Sequence, residues 1–313
     1  MAAHTTTARP SFSIVDLGSL LYLGAVWGAA FLFFRIAAPQ VGAVWAAEIR
    51  LAIGAAVLLA IAGPRTAAAM RGRVVSFVLL GALFAAIPFT LISYATVTLH
   101  AGFTSLLAAA TPLFTAVIAL GFMGQRISVR VATGLAVGVL AVVVLVGWSP
   151  LEPGVTTLLA VAAGLGAPAS YAVAGNFVRA KLADVPPLEL ATGMLTTGAL
   201  VVLPVALLTG VPGTPQLDGL VALVAVGTVS TALAWPIFFR VLRRTTPVAA
   251  STVTFIVPAF GVVWSAILLA EPVGAGLVAG FGLILLSLVL VLGIIPPIRV
   301  PAFGRSSERP SVA

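Results

Sequence analysis

The sequence predicts an all-α polytopic membrane protein, ten transmembrane helices laid out as two inverted five-helix repeats. Three observations carry this. Of the 313 residues, 61% are hydrophobic and only 8% charged, where soluble domains carry roughly a quarter charged. Apolar stretches of spanning length recur ten times along the chain. Finally, an ordered set of Pro, Phe, Arg and Gly positions in the first half recurs in the second.

Composition fixes the solvent. With a mean hydropathy of +1.22, a soluble fold would expose apolar patches far beyond the few hundred Å² that soluble monomers tolerate. The lipid bilayer takes that role. A cytosolic enzyme, a secreted disulfide scaffold and a disordered chain are thereby excluded. The chain has no cysteine, so a disulfide framework, a thiolate metal site and a Cys nucleophile are excluded too. The net charge of +8 reads as loop charge that sets membrane orientation, not as a nucleic-acid surface.

Spanning helices need about 20 mainly apolar residues. Cuts at charges, prolines and polar clusters give stretches near 15–37, 42–61, 74–98, 101–122, 131–147, 155–177, 188–209, 219–239, 248–269 and 274–295. None alternates as a transmembrane strand would. The first is long enough to span, and no small-residue cleavage site follows it closely, so it reads as a span and not a leader. The split at His100–Gly102 divides a run too long for one span and demands a tight turn. The segments 1–13 and 296–313 are polar tails flanking a first repeat over 14–148 and a second over 149–295.

Charge supports the count independently. Arg65, Arg71 and Arg73 lie between helices 2 and 3, and Arg126 and Arg130 between 4 and 5. Arg179 and Lys181 lie between 6 and 7, and Arg240, Arg243 and Arg244 between 8 and 9. With Arg9, Arg299, Arg305 and Arg309 in the tails, 14 of the 16 basic residues fall on one side. The opposite loops hold Glu152, Asp218 and Glu271. By the positive-inside rule both termini are cytoplasmic, which predicts a multi-pass protein of the cytoplasmic membrane.

The halves match by residue. Thr111-Pro112-Leu113-Phe114 with Gln125 aligns with Val257-Pro258-Ala259-Phe260 with Glu271 at an offset of 146. Ser105 then meets Ser251, Gly134 meets Gly280, and Gly147 meets Gly293. At 144, Trp27 meets Tyr171, Arg35 meets Arg179 and Gly54 meets Gly198; Pro88 pairs with Pro236 at 148. Five helices per half is an odd number, so the second half enters the membrane from the opposite side. Two such halves pack in two ways of nearly equal energy, the recurring logic of inverted-repeat carriers.

On these segments the chain resembles the drug/metabolite transporter superfamily, in particular the ten-helix EamA-type transporters. The resemblance is carried by Trp27-Gly28, Arg50, Ala101-Gly102 through Phe114, Ala250-Ser251, Val257-Pro258 and Ala270-Glu271-Pro272. It covers about 14–295. The family usually places Glu at the end of both helix 4 and helix 9; here the first is Gln125. The resemblance implies that helices 1, 3, 4, 6, 8 and 9 surround a cavity and that the chain exports amino acids or related small metabolites by alternating access. Efflux of cationic drugs is the alternative.

Glu48 and Arg50 are the first candidates for the substrate site. They lie roughly 9–12 Å into helix 2, where ionisable groups are costly and mark a site by default. Their mirror positions are Thr192 and Met194. One reading has Arg50 holding a substrate carboxylate while Glu48 holds an amine or a proton. The other is a structural ion pair. Both stay open in the sequence, and proton coupling with them. The intramembrane aromatics Trp27, Phe31, Tyr94, Tyr171, Trp235 and Trp264 are candidates for the cavity wall. Pro88, Pro112, Pro236 and Pro258 break helical hydrogen bonds inside spans, so they are candidate hinges whose freed carbonyls must find protein or cavity water.

Other residues carry plainer expectations. Arg35, at a helix end, is expected to snorkel to the interface. Glu271 and Pro272 are expected to cap helix 10, and His100 to sit in a solvated turn. Gly24-x-x-x-Gly28, Gly134-x-x-x-Gly138 and Gly276-x-x-x-Gly280 permit close helix approach within a chain or between chains, which leaves the oligomeric state open. Two histidines, no Gly-x-Ser-x-Gly elbow and one deep acid argue against an enzyme. No metal site or cofactor is expected. Without a Walker motif, ATP is not expected to drive the chain directly. The expected partners are a small-molecule substrate and the bilayer, with no nucleic acid.

Overall fold

The computed structural model describes residues 14–111, 113–114, 117, 129–147, 154–211, 213–244 and 253–292. Pro112, Gln125, Ser251 and both tails lie outside the described residues. Ten helices and no strand are present among those described. They are α1 (Ile14–Val41), α2 (Ala43–Met70), α3 (Val74–Thr98), α4 (Ala101–Ala108), α5 (Val129–Gly147), α6 (Val155–Lys181), α7 (Pro187–Thr209), α8 (Leu217–Arg244), α9 (Val253–Leu269) and α10 (Ala275–Leu292). Six of them, α1, α2, α3, α6, α7 and α8, are long and apolar enough to cross a membrane on their own description.

Two boundaries are instructive. The turn demanded at His100–Gly102 is present: α3 stops at Thr98, and the His100 carbonyl accepts both the backbone N–H and the hydroxyl of Thr104 at 3.0 Å. α2 runs nine residues past the predicted end at 61, straight through Pro64. Side chains sustain it there. Arg65 donates to the Ile61 carbonyl at 3.4 Å and Thr66 to that of Ala62 at 2.9 Å.

Packing follows the inverted repeat. α2 lies on α7 and α5 on α10, each pair mirroring itself; α1 on α9 mirrors α6 on α4, and α1 on α8 mirrors α6 on α3. Glycines set these approaches. A Cβ at Gly54 would meet Thr231 and the Gly227 carbonyl, while one at Gly198 would meet Ala85 and the Gly81 carbonyl. Gly81 and Ala85 are the repeat partners of Gly227 and Thr231. Gly24 and Gly28 abut Ile256, Phe260 and Gly261 of α9, so that glycine motif joins helices within one chain.

α3 and α8 share a further feature, invisible in the periodicity. Each contains a π-helical stretch, Ala82–Ala86 and Thr228–Leu233, just ahead of Pro88 and Pro236. Such bulges gather at functional sites. Their loosened carbonyls take side-chain donors, as a bilayer interior requires. Ser170 of α6 donates to Leu83 at 2.6 Å. Trp27 of α1 donates to Ser230 at 3.1 Å, and Ser230 returns a bond to the Val26 carbonyl at 2.6 Å.

Polar ties close the two ends of the bundle. At one end Arg73 donates to both Asp184 oxygens at 2.7–2.8 Å, and Arg65 lies 3.5 Å from Glu189. The hydrogen bonds from Arg73 hold the exposed Asp184 carboxyl below its ordinary value of 3.8. At the other end Gln40 accepts from the Gln216 N–H at 2.8 Å and donates to Asp218 at 3.3 Å.

Candidate functional site

A cavity of about 250 Å³ opens among α1, α2, α3, α4, α6, α8 and α9. It runs from Arg50, seven residues inside α2, to Leu242 and Val253 at the helix termini on the Arg73 side. Its size is below the roughly 300–1,000 Å³ of sites for drug-sized ligands. The wall is aromatic. Trp235 is the hub, 5.1 Å from Trp27, 5.1 Å from Phe84 and 5.6 Å from Phe238 by ring centroids. Tyr171 meets Phe84 at 5.5 Å. Such tilted and edge-on pairs are each worth about 0.5–1.5 kcal/mol beyond area burial, which makes this a rigid wall.

Arg50 is the charged residue of that wall and is 3% exposed. Its guanidinium carbon lies 3.7 Å from the Phe89 ring centroid and 5.2 Å from that of Phe34. Its Nε donates to Thr231 Oγ1 at 2.7 Å. Inserting an arginine at membrane mid-depth costs roughly 2.5–3.5 kcal/mol. A desolvated cation–π contact returns about 2 kcal/mol and the hydrogen bond about 1. The residue is therefore affordable where it stands while keeping its terminal N–H groups for something else.

Of the residues singled out in the sequence, Trp27, Phe31, Arg50, Tyr171 and Trp235 come together on this wall. Glu48 does not. It is 5% exposed, its Oε2 is buried without a hydrogen-bond partner, and no ion pair joins it to Arg50 among the described residues. Two helical positions apart, the side chains diverge around α2. Tyr94 is 41% exposed on the outside of α3. Trp264 stacks on Phe260 and donates to the Ala25 carbonyl at 3.0 Å, pinning α9 to α1. Pro88, Pro236 and Pro258 lie off the wall but on helices that form it.

Two expectations about the helix ends need correcting. Arg35 does not simply snorkel. It donates to the Thr96 and Val97 carbonyls at 3.0 and 2.7 Å, closing the end of α3, and its Nε lies 3.6 Å from Glu271. Glu271 caps a helix, but not α10. Its oxygens accept the N–H groups of Ala101 and Gly102 at 3.2 and 3.4 Å, the start of α4. The reason is local: Ala270 turns at φ 51° and the Glu271 N–H bonds back to the Ser265 carbonyl, which leaves α10 to begin only at Ala275.

Sequence reasoning passed over Phe84, Phe89, Phe238 and Thr231. The i, i+3, i+4 spacing of Trp235, Phe238 and Phe239 carried a signal for one aromatic face. Thr231 carried none, since threonine inside a helix is ordinary and its partner is 181 residues away.

Comparison with known proteins agrees with this architecture. The sequence matches the profile of the EamA-like transporter family twice, over residues 17–147 and 158–293. No curated protein matches. Among solved structures 28 chains match. One, described only as a crystal structure of a protein, superposes with a TM-score of 0.63 at 17% identity, over 92% of this chain and 98% of its own. At that identity the likeness speaks for the fold alone.

Proposed function

The chain belongs to the EamA-like transporter family, and on that premise we propose that it is a secondary carrier exporting amino acids or related small metabolites across the cytoplasmic membrane by alternating access. The observation that carries this reading is Arg50: a fixed cation in an apolar, aromatic cavity, with its Nε held by Thr231, its face on the Phe89 ring and, among the described residues, no hydrogen bond from its terminal N–H groups. A planar guanidinium matches a carboxylate in two places at once. The cavity reaches the Arg73 end, which the basic loops assign to the cytoplasm, so this conformation receives its ligand from inside the cell.

The contacts of Arg35 and Glu271 close the opposite end, where Arg35 and Glu271 tie α1, α3 and α4 to the α9–α10 turn. Exchange then means opening that end while closing the other. Glu48, the acid deep in α2, is the group on which proton coupling would rest. Efflux of lipophilic cations fits less well, because the charge on the cavity wall has the wrong sign.

Transport into proteoliposomes, normalised to inserted protein, tests the reading. Arg50→Lys keeps the charge and loses the fork, so partial transport is expected; Arg50→Ala is expected to abolish it. Wild-type rates in Arg50→Ala would overturn the assignment of Arg50 as the anion site.

A further inference from the structure

Resting on the reading that this cavity is the carrier's substrate site, we infer that its ligand is a small organic acid with a flat apolar body, recognised through the carboxylate by Arg50 and the indole N–H of Trp235, with no acidic partner for an ammonium group.

Arg50 has five N–H donors, and among the described residues its one hydrogen-bond acceptor, Thr231, takes Nε. Trp235 lies on the same wall, 3% exposed, with its Nε1 buried and lacking an acceptor. Both groups pack on one ring, that of Phe89, with Arg50 at 3.7 Å and Trp235 at 6.2 Å from its centroid. An unpaired buried N–H is unfavourable, and a carboxylate oxygen seated against it relieves that. The rings of Trp27 and Tyr171 complete a slot for a planar apolar body.

Nothing comparable awaits a cation. No acidic side chain lines the cavity among the described residues. Asp184 and Glu189 are paired with arginines at one end, Asp218 meets Gln40, and Glu271 caps α4. Glu48 leaves α2 on a different side from Arg50 and is not part of the wall. The stretches 112–128 and 245–252, which adjoin the wall helices α4 and α9 in sequence, contain no Asp or Glu. An ammonium in this slot would meet ring faces and the neutral side chains of Thr111, Tyr171 and Asn176, with no carboxylate to pair it, beside a fixed positive charge.

Three compounds with a common phenyl group separate the alternatives: 3-phenylpropanoate, L-phenylalanine and phenethylamine. Equilibrium binding of each is measured on the purified full chain in lipid nanodiscs, for wild type and Trp235→Phe. Wild type is expected to bind 3-phenylpropanoate at least as tightly as phenylalanine, and phenethylamine at least tenfold more weakly. Trp235→Phe, which keeps a ring in the wall, is expected to weaken the acid about tenfold, the scale of a hydrogen bond to a charged acceptor. Phenylalanine bound tenfold more tightly than 3-phenylpropanoate would show that the ammonium is recognised, overturning the inference while leaving the substrate site in place. Tightest binding of phenethylamine would overturn both the inference and the anion site. Failure of all three to bind a folded protein would remove the cavity as a site for this class, and unchanged affinity in Trp235→Phe would remove the indole from it.

Discussion

Arg50 of α2 donates through Nε to Thr231 Oγ1 of α8 at 2.7 Å, and Thr231, within the π-helical stretch, donates its hydroxyl to the Val226 carbonyl at 2.6 Å just ahead of it. One bond therefore joins the first repeat to the least regular turn of the second. The glycines around it obey the inverted symmetry, Gly54 on Gly227 and Thr231 as Gly198 on Gly81 and Ala85. The polar pair does not: the repeat partners of Arg50 and Thr231 are Met194 and Ala85. Packing is thus served twice by the same design, while the charge appears once. A feature that the symmetric fold does without on one side is a feature that the fold itself does not require.

Thr231→Val removes the acceptor at nearly constant volume. The Arg50 fork then loses its orientation but not its charge. The expected result is an apparent affinity for organic acids lowered about tenfold, on the scale of a hydrogen bond to a charged group, with the maximal rate much less affected. Thr231→Ser keeps the hydroxyl and is expected to restore affinity. A loss in Thr231→Ser with Thr231→Val unaffected would assign Thr231 to its methyl contact near Gly54 instead.

Much of this architecture was legible in the sequence, and the remainder was hidden for physical reasons. Apolar run length, loop charge and the Pro and Gly repeats specify helices and their order because the bilayer imposes those features on any spanning chain. Trp27, Tyr171 and Arg50 were recognisable since they are out of place in a lipid-facing surface. Glu48 was out of place for the same reason and yet stands off the cavity wall, because burial pattern within a uniformly apolar helix carries no angular signal. The contacts of Arg35 with Thr96, Val97 and Glu271 were hidden because they join segments 61 to 236 residues apart around one turn. The π-helical stretches had no compositional mark beyond the prolines that follow them.

At the Arg35 end of the bundle, the start of α4 rests on the Glu271 carboxylate. Glu271 meets two α4 N–H groups and faces Arg35 at 3.6 Å. Glu271→Ala leaves those donors without their acceptor and Arg35 with only the Thr96 and Val97 carbonyls, so that end is expected to open more often. The native chain has no cysteine, so a single Ala30→Cys on the cavity wall reports cleanly. A membrane-impermeant maleimide applied from the Arg35 side is expected to label it severalfold faster with Glu271→Ala than without. Equal labelling would show that the contact does not gate the cavity.

Pro88 and Pro236 follow the two π-helical stretches within one helical turn. Alanine supplies the missing N–H and favours a straight α-helix. Both Pro88→Ala and Pro236→Ala are expected to insert normally and bind ligand, while exchange between the two openings slows severalfold. Binding and transport measured on the same proteoliposomes separate the effects. Unchanged exchange in both variants would remove the bends from the mechanism.

Membrane orientation follows from loop charge and is open to direct measurement. Ala68 and Thr214 are exposed at opposite ends of the bundle. In intact cells, a cysteine at 68 is expected to resist an impermeant reagent until the membrane is permeabilised, and one at 214 to react at once. The reverse pattern would turn the molecule over and convert the cavity from inward-facing to outward-facing.

Two glycines of the wall helices separate folding from transport. Gly28 of α1 sits against α9 so closely that a Cβ would lie 2.8 Å from the Gly261 nitrogen and 2.9 Å from the Val257 carbonyl oxygen. These are backbone atoms of a packed helix, which cannot turn aside, so Gly28→Ala is expected to cost about 1–3 kcal/mol and to lower the melting temperature and the amount inserted. Gly175 of α6 also lines the cavity, yet a Cβ there would meet nothing within 4 Å. Its repeat partner is Phe31, whose ring forms part of the opposite wall. Gly175→Phe would set a second ring across the pseudo-two-fold axis from the first, in space that only a ligand otherwise claims. The variant is expected to insert and melt as wild type does but to lose transport of phenyl-sized acids, with acetate-sized ones retained. Wild-type transport of the larger acids would show that the ligand does not pass Gly175, and the binding region would then contract to the Arg50, Phe89 and Trp235 end of the cavity.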